Sequence, residues 1–188
     1  MNQQEQELVK KLHQGDELAF SQLFELFAER VYNVCCRFLV SRPEAEDAVQ
    51  EIFCKIYASI RNFRAEARLS SWIYRITVNH CLNIQRQRKR IQLFSLEWFH
   101  ERESAIDAPK SENPEDAMVK RETEEIIQRA ISELSQHQRV ALVLYRYEGL
   151  SYQEIAEILG CSATAVESRL HQAKQNLGKR LLPIFKEK

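Results

Sequence analysis

The sequence predicts an all-α protein of two small helical domains joined by an acidic linker, with a helix-turn-helix as the C-terminal domain. Three observations predict this. The 188 residues include only 4 Gly and 4 Pro, too few for the tight turns of an all-β chain. Apolar residues recur at three- and four-residue steps along most of the chain, the period of amphipathic helices. Charge is segregated, although the formal net charge is zero. Residues 61–90 carry eight Lys/Arg against one acid, a balance of +7. Residues 91–128 carry ten acids against four bases, a balance of −6. Residues 163–188 carry six bases against two acids, a balance of +4. Zero net charge argues against a general polyanion binder. Two basic blocks around an acidic one point to two nucleic-acid-facing modules and a connector.

The elements follow in order. Leu8, Leu12, Leu18, Phe20, Leu23, Phe24 and Phe27 mark one or two amphipathic helices bent near Gly15-Asp16. Val31, Val34, Cys35, Phe38 and Leu39 continue the pattern. Ser41-Arg42-Pro43-Glu44 breaks and restarts it, because Pro is tolerated in a first helical turn. A helix over Ala45–Ile60 follows, with Ala48, Ile52, Phe53, Ile56 and Tyr57 as its stripe. Phe63–Arg68 reads as a short basic loop, and Ser70 or Ser71 as the cap of a long helix to about Lys89. Periodicity is lost from Ile91 to Ser111, apart from a weak turn at Leu93–Phe99. Asn113-Pro114-Glu115-Asp116 is a helix start: cap, Pro at the first position, acids in the first turn. Four helices then fit, over Pro114–Leu134, Gln136–Tyr147, Tyr152–Leu159 and Ala163–Leu182. The domains are thus expected at 1–91 and 113–188, with 92–112 between them.

No run approaches the ~20 apolar residues of a membrane span. The polar N-terminus lacks the apolar centre of a signal peptide, so a cytoplasmic location is expected. The five cysteines (Cys35, Cys36, Cys54, Cys81 and Cys161) are scattered without a C-x-x-C pair. They read as small buried hydrophobes. No nucleophile–base pair, phosphate loop or metal spacing stands out, so neither enzymatic activity nor a cofactor is expected.

Ser151-Tyr-Gln-Glu154 is a capping box. Ile155, Ala156 and Leu159 form the buried face of a short helix, Gly160 supplies a sharp turn, and Ser162 caps the next helix. In that helix Val166, Leu170, Ala173, Leu177 and Leu181 point inward. Thr164, Glu167, Ser168, His171, Lys174 and Gln175 point outward, where they can reach base edges or phosphates in the major groove. Arg169, Lys179 and Arg180 read equally as phosphate contacts or as surface charge.

On a helical wheel of residues 71–90, Leu69, Ile73, Ile76, His80 and Ile84 share one side, and Tyr74, Val78 and Cys81 lie nearly opposite. Arg75, Asn79, Asn83 and Arg86 form a narrow strip between them, with Trp72 at its edge. Positive charge, amides and an aromatic ring suit DNA with partly unstacked bases. From the strip alone, a solvated basic face beside a core Trp is the somewhat better reading.

The whole chain resembles the extracytoplasmic-function (ECF) sigma factors of bacteria. The resemblance is carried by Gly15-Asp-Glu-Leu-Ala-Phe20, Ala45-Glu-Asp-Ala-Val-Gln-Glu-Ile-Phe53, Phe63-Arg64, Trp72-Ile-Tyr-Arg-Ile-Thr-Val-Asn79, Asn113-Pro-Glu115, Leu150–Gly160 and Ser168–Ala173. It implies a non-catalytic subunit that binds core RNA polymerase and opens promoters. Asp47, Gln50 and Glu51 correspond to the helix that docks on the polymerase clamp. Phe63, Arg64, Trp72, Arg75, Asn79 and Arg86 correspond to the minus-ten reader, which captures a flipped base. Thr164, Glu167, Ser168, Arg169, His171 and Lys174 correspond to the minus-thirty-five reader. The linker resembles the segment threaded toward the RNA exit path, and an anti-sigma factor is the usual partner. Glu167 and Gln172 stand where many relatives are basic, and Ala65 and Ala67 where relatives often carry Gly and small polar residues.

The alternative is a regulator that binds an operator by its helix-turn-helix without polymerase, residues 1–90 serving as a sensor or dimerisation domain. It explains the C-terminal half equally well, but not the basic strip or the Phe63-Arg64 loop.

Overall fold

The computed structural model describes residues 3–39, 41–64, 68–94, 123 and 126–186. Among these the regular structure is entirely helical. The chain divides into two compact units, and each has its own core. The first is centred on α1 (Gln3–His13), α2 (Glu17–Phe38), α3 (Arg42–Ser59), a 3-10 turn (Ile60–Asn62) and α4 (Leu69–Phe94). The second is centred on the helices that follow. These are α5 (126–132), α6 (Gln136–Arg146), α7 (Tyr152–Leu159) and α8 (Ala163–Lys186).

The bend expected at Gly15-Asp16 is a complete break. Gly15 has φ +79°, and a Cβ there would meet Arg61 Nη2 at 2.8 Å. The positive φ strains any L side chain there, and the Arg61 tip would have to swing aside. Asp16 then caps α2, its carboxylate accepting from the amides of Leu18 at 2.9 Å and Ala19 at 3.2 Å. Ser41 caps α3 through the Glu44 amide, with Pro43 in the first turn.

In the first unit α2, α3 and α4 pack on one another. Leu23, Val31, Val34, Ile52, Ile56, Ile73 and Tyr74 are essentially inaccessible to water. Burying each such side chain contributes about 1.5–3 kcal/mol. Aromatic rings fasten α2 to α3, with Phe24 and Phe53 at 4.6 Å between centroids and Phe20 edge-on to Tyr57 at 5.0 Å. Cys35 and Cys81 touch across α2 and α4 at 3.7 Å between sulfurs, both fully buried. The adjacent Cys81 thiol and burial push the Cys35 thiol up, so it packs as a neutral hydrophobe.

Helix α4 departs from expectation at both ends. Ser70 and Ser71 lie inside it, and Ser71 is buried. The Leu69 amide instead donates to Glu5 Oε1 at 2.9 Å, so a carboxylate from α1 provides the cap. At the other end the helix continues to Phe94, past the expected start of the linker at residue 92. Arg88 pairs with Glu44 of α3, and Gln85 Nε2 donates to the Phe38 carbonyl at 2.5 Å, tying this half of α4 to its neighbours. The remainder of the acidic linker lies outside the described residues, as do the expected turn beyond Phe94 and the Asn113-Pro114 helix start.

In the second unit α6 packs along α8. Val140, Val143, Leu144, Ile155, Val166, Leu170 and Ala173 form the core. Side-chain amides bridge the same pair: Gln138 donates to Gln172 at 3.3 Å and accepts from Asn176 at 3.1 Å. Arg180 of α8 pairs with Glu133. Helix α8 runs through Pro183 to Lys186, beyond the expected end at Leu182. Pro183 lacks the amide that would bond the Lys179 carbonyl, and its ring crowds that group, a cost confined to the final turn.

Candidate nucleic-acid interfaces

Helix α4 is packed on two sides, as its wheel predicts. Leu69, Ile73 and His80 are buried on one side, and Tyr74, Val78 and Cys81 on the other. Arg75, Asn79, Asn83 and Arg86 are all exposed. Within the strip Arg86 Nη1 donates to Asn83 Oδ1 at 3.1 Å. Trp72 is half-buried at its edge, its ring 5.2 Å from that of Phe63 and inclined at 48°.

Phe63 itself is only 5% exposed. The ring that was expected at the DNA surface packs inward, where it supports Trp72. Arg64 and Arg68 are exposed beside it, while Ala65–Ala67 lie outside the described residues.

Asp47, Gln50 and Glu51 are exposed together on α3, opposite the buried Ala45, Ala48, Ile52 and Ile56. Polar side chains on the outer face of a helix whose inner face is full are free to meet a partner. Glu51 also lies within a cluster that sequence reasoning missed. Its Oε2 is 3.9 Å from Lys55 Nζ and 3.6 Å from His80 Nε2, and Lys55 Nζ is 2.5 Å from His80 Nδ1. Burial lowers the His80 pKa below its usual 6.5, Lys55 lowers it further, and Glu51 partly opposes both. Only Glu51 and Lys55, at i and i+4, were signalled by spacing. The contact from Lys55 to His80 spans 25 residues, and no local pattern marks it.

The helix-turn-helix forms as its caps dictate. Ser151 and Glu154 close the capping box, the Glu154 amide donating to Ser151 Oγ at 3.3 Å and the Ser151 amide to Glu154 Oε2 at 2.9 Å. Gly160 turns at φ +62°, and Ser162 caps α8 through the Ala165 amide at 3.1 Å. Thr164, Glu167, Ser168, His171, Lys174 and Gln175 are all exposed on α8. His171 and Gln175 meet at 2.9 Å, and Lys174 stands 5.9 Å over the Tyr145 ring. Arg169 is the exception. It is half-buried, and its Nη1 donates to Cys161 Sγ at 3.3 Å, beside the Gly160 turn.

Two family models match these two modules: Sigma-70 region 2 over residues 23–91, and Sigma-70, region 4 over residues 124–177. That pairing defines a class, the promoter-recognition subunits of RNA polymerase. The RNA polymerase sigma-H factor of Pseudomonas aeruginosa is 32% identical, over 98% of this chain and 97% of its own length. The ECF RNA polymerase sigma-E factor of Haemophilus influenzae is 33% identical, over 96% and 97%. Among solved structures, the sigma factor RpoE of Bartonella quintana in complex with the anti-sigma factor NepR has a TM-score of 0.69 at 25% identity, over 86% of this chain and 96% of that one. CnrH, in complex with the cytosolic domain of CnrY, shares the fold with a TM-score of 0.71 at 21% identity, over 94% and 96%. The chain belongs to the ECF sigma factors, the alternative sigma subunits that direct RNA polymerase to promoters. The region 2 match accounts for the helices that an operator-binding regulator would leave as a sensor. No helix among the described residues is long and apolar enough to cross a membrane.

Proposed function

We propose that this sigma factor divides its work among three surfaces. Asp47, Gln50 and Glu51 on α3 dock on core polymerase. Arg64, Trp72, Arg75, Asn79 and Arg86 engage the minus-ten element as separated strand. Thr164, Glu167, Ser168, His171 and Lys174 read the minus-thirty-five element in the major groove. Arg169 shapes the turn behind that surface, and Phe63 supports Trp72. Residues 1–91 and 113–188 are the working domains, and 92–112 is the acidic connector. The chain acts in the cytoplasm as a non-catalytic subunit and uses no cofactor of its own.

The observation that carries this reading is the exposed strip on α4. A basic, amide-bearing face with an aromatic ring at its edge offers every kind of contact that unpaired bases use: charge for phosphate, amides for base edges, a π face for stacking. Glu167 sits where a carboxylate can accept from cytosine N4. An anti-sigma factor is a partner of this chain on this reading, supported by the likeness to RpoE, which was solved with NepR.

The test is transcription. The purified chain, core polymerase and nucleotides on a pool of genomic promoter fragments should yield initiated RNA from a defined subset. Promoter-bound complexes that never initiate would sink the assignment.

A further inference from the structure

We propose that His80 is a positioning residue that fixes the middle of α4, and so aims Asn79, by its bridge to Lys55 and Glu51 of the docking helix α3. The inference rests on the reading of Asn79 as a minus-ten contact and of α3 as the docking surface.

The geometry defines the chemistry. Lys55 Nζ is a donor only, so His80 Nδ1, 2.5 Å away, must be the acceptor. The ring proton then sits on Nε2. That atom is buried and without a hydrogen bond, and it faces Glu51 Oε2 at 3.6 Å. The imidazole is therefore neutral, held by one directed hydrogen bond to an ammonium and one longer attraction to a carboxylate. Burial and Lys55 both favour the neutral form. Lys55 and Glu51, both on α3, are the charged groups facing the ring among the described residues.

Most of what holds α4 is apolar. Ile73, Val78 and Leu82 are buried along the helix, and polar ties hold both of its ends, the Leu69 amide to Glu5 at the start and Gln85 to the Phe38 carbonyl and Arg88 to Glu44 further on; His80 supplies the directed tie between them, beside Asn79. A hydrogen bond has a preferred direction. His80 is 6% exposed and follows Asn79 in sequence, so the angle fixed at one sets the angle of the other. Trp72 and Arg75 share that strip and move with it.

The experiment uses full-length chain assembled with core polymerase. His80→Leu fills the space and removes the acceptor; His80→Asn keeps an acceptor near the Nδ1 position; Asn79→Ala serves as reference. Core affinity is read by titration and promoter opening by the fluorescence of 2-aminopurine in the minus-ten element. The expected result is core affinity within about twofold for both His80 variants, opening slowed about tenfold in His80→Leu, and recovery to within about threefold in His80→Asn. In addition, wild-type opening relative to His80→Asn should fall once pH drops below the lowered His80 pKa, itself under 6.5, because an imidazolium cannot accept from Lys55.

His80→Leu opening at the wild-type rate while Asn79→Ala is slow overturns the proposal alone. Asn79→Ala opening normally overturns the minus-ten reading instead. If His80→Leu fails to fold, Lys55→Met takes its place, removing the donor to Nδ1 from the other side: opening at the wild-type rate overturns the positioning role, and slowed opening with core affinity kept supports it.

Discussion

Asn79 stands exposed on α4 between Val78 and His80, both buried. Its amide is presented outward by residues that have no freedom to turn. Asn79→Ala should therefore slow promoter opening by at least about tenfold while core polymerase binding and thermal stability stay within error, since a surface truncation costs little. Opening kinetics beside a pull-down on core enzyme would check this. His80 carries the opposite signature. Its pKa is lowered from 6.5 in the folded state by burial and by Lys55, so the unfolded chain binds the proton more readily. Stability is then complete above about pH 6.5 and lost as pH falls through that value toward the folded pKa. Thermal melts of wild type and His80→Asn between about pH 7.5 and about 5.5 should diverge at the acid end, wild type falling further. At this scale the sequence was informative about faces and poor about ends of side chains. Period alone separated the strip from the core. It did not place Phe63 inside, because a residue in a loop has no period, nor did it turn Arg169 back to Cys161, a contact set by rotamer choice.

Elements were legible wherever their signals are local. The bend at Gly15-Asp16, the restart at Ser41–Glu44, the Ser151 capping box and the Gly160 turn all depend on residues within four positions of one another, and each was legible; that Asp16 and Ser41 themselves cap the helices is what the structure adds. The start of α4 was misplaced because its cap comes from Glu5, 64 residues away. Glu5→Gln weakens that charged acceptor and should lower stability by about 1 kcal/mol, loosening the start of α4 first. Hydrogen exchange at the Leu69 to Trp72 amides is the sensitive readout; unchanged protection there would show that the carboxylate contributes nothing. The outer face of α3 makes a separate prediction. Asp47→Arg combined with Glu51→Arg reverses charge on exposed positions, so helicity should persist while co-purification with core polymerase is lost. The double variant also removes the carboxylate facing His80, which makes a circular dichroism control necessary.

At the scale of the whole molecule, charge decides how the protein can act alone. A formal net charge of zero gives no long-range pull toward DNA, and the +4 balance of residues 163–188 supports only a few phosphate contacts. Free binding to promoter DNA should be weak, with a log–log salt slope of about −3. A filter or anisotropy titration over a salt series measures it, and a tight, salt-insensitive complex would contradict the assignment. On this reading polymerase supplies the missing affinity by holding both DNA-facing modules at once, a gain of effective concentration and not of contact. The two-module plan was visible in the alternation of charge blocks before any helix was placed.

The Phe63–Trp72 pair has a practical consequence. The chain contains 2 tryptophans, Trp72 and Trp98. Replacing Trp98 with phenylalanine would leave one indole, half-exposed and braced at 5.2 Å against a buried ring. Indole emission is quenched by stacked bases and shifts with solvent contact. The protein would thus carry an intrinsic optical probe at the edge of the face proposed to bind separated strand, and rapid mixing could time strand arrival without a dye on either partner.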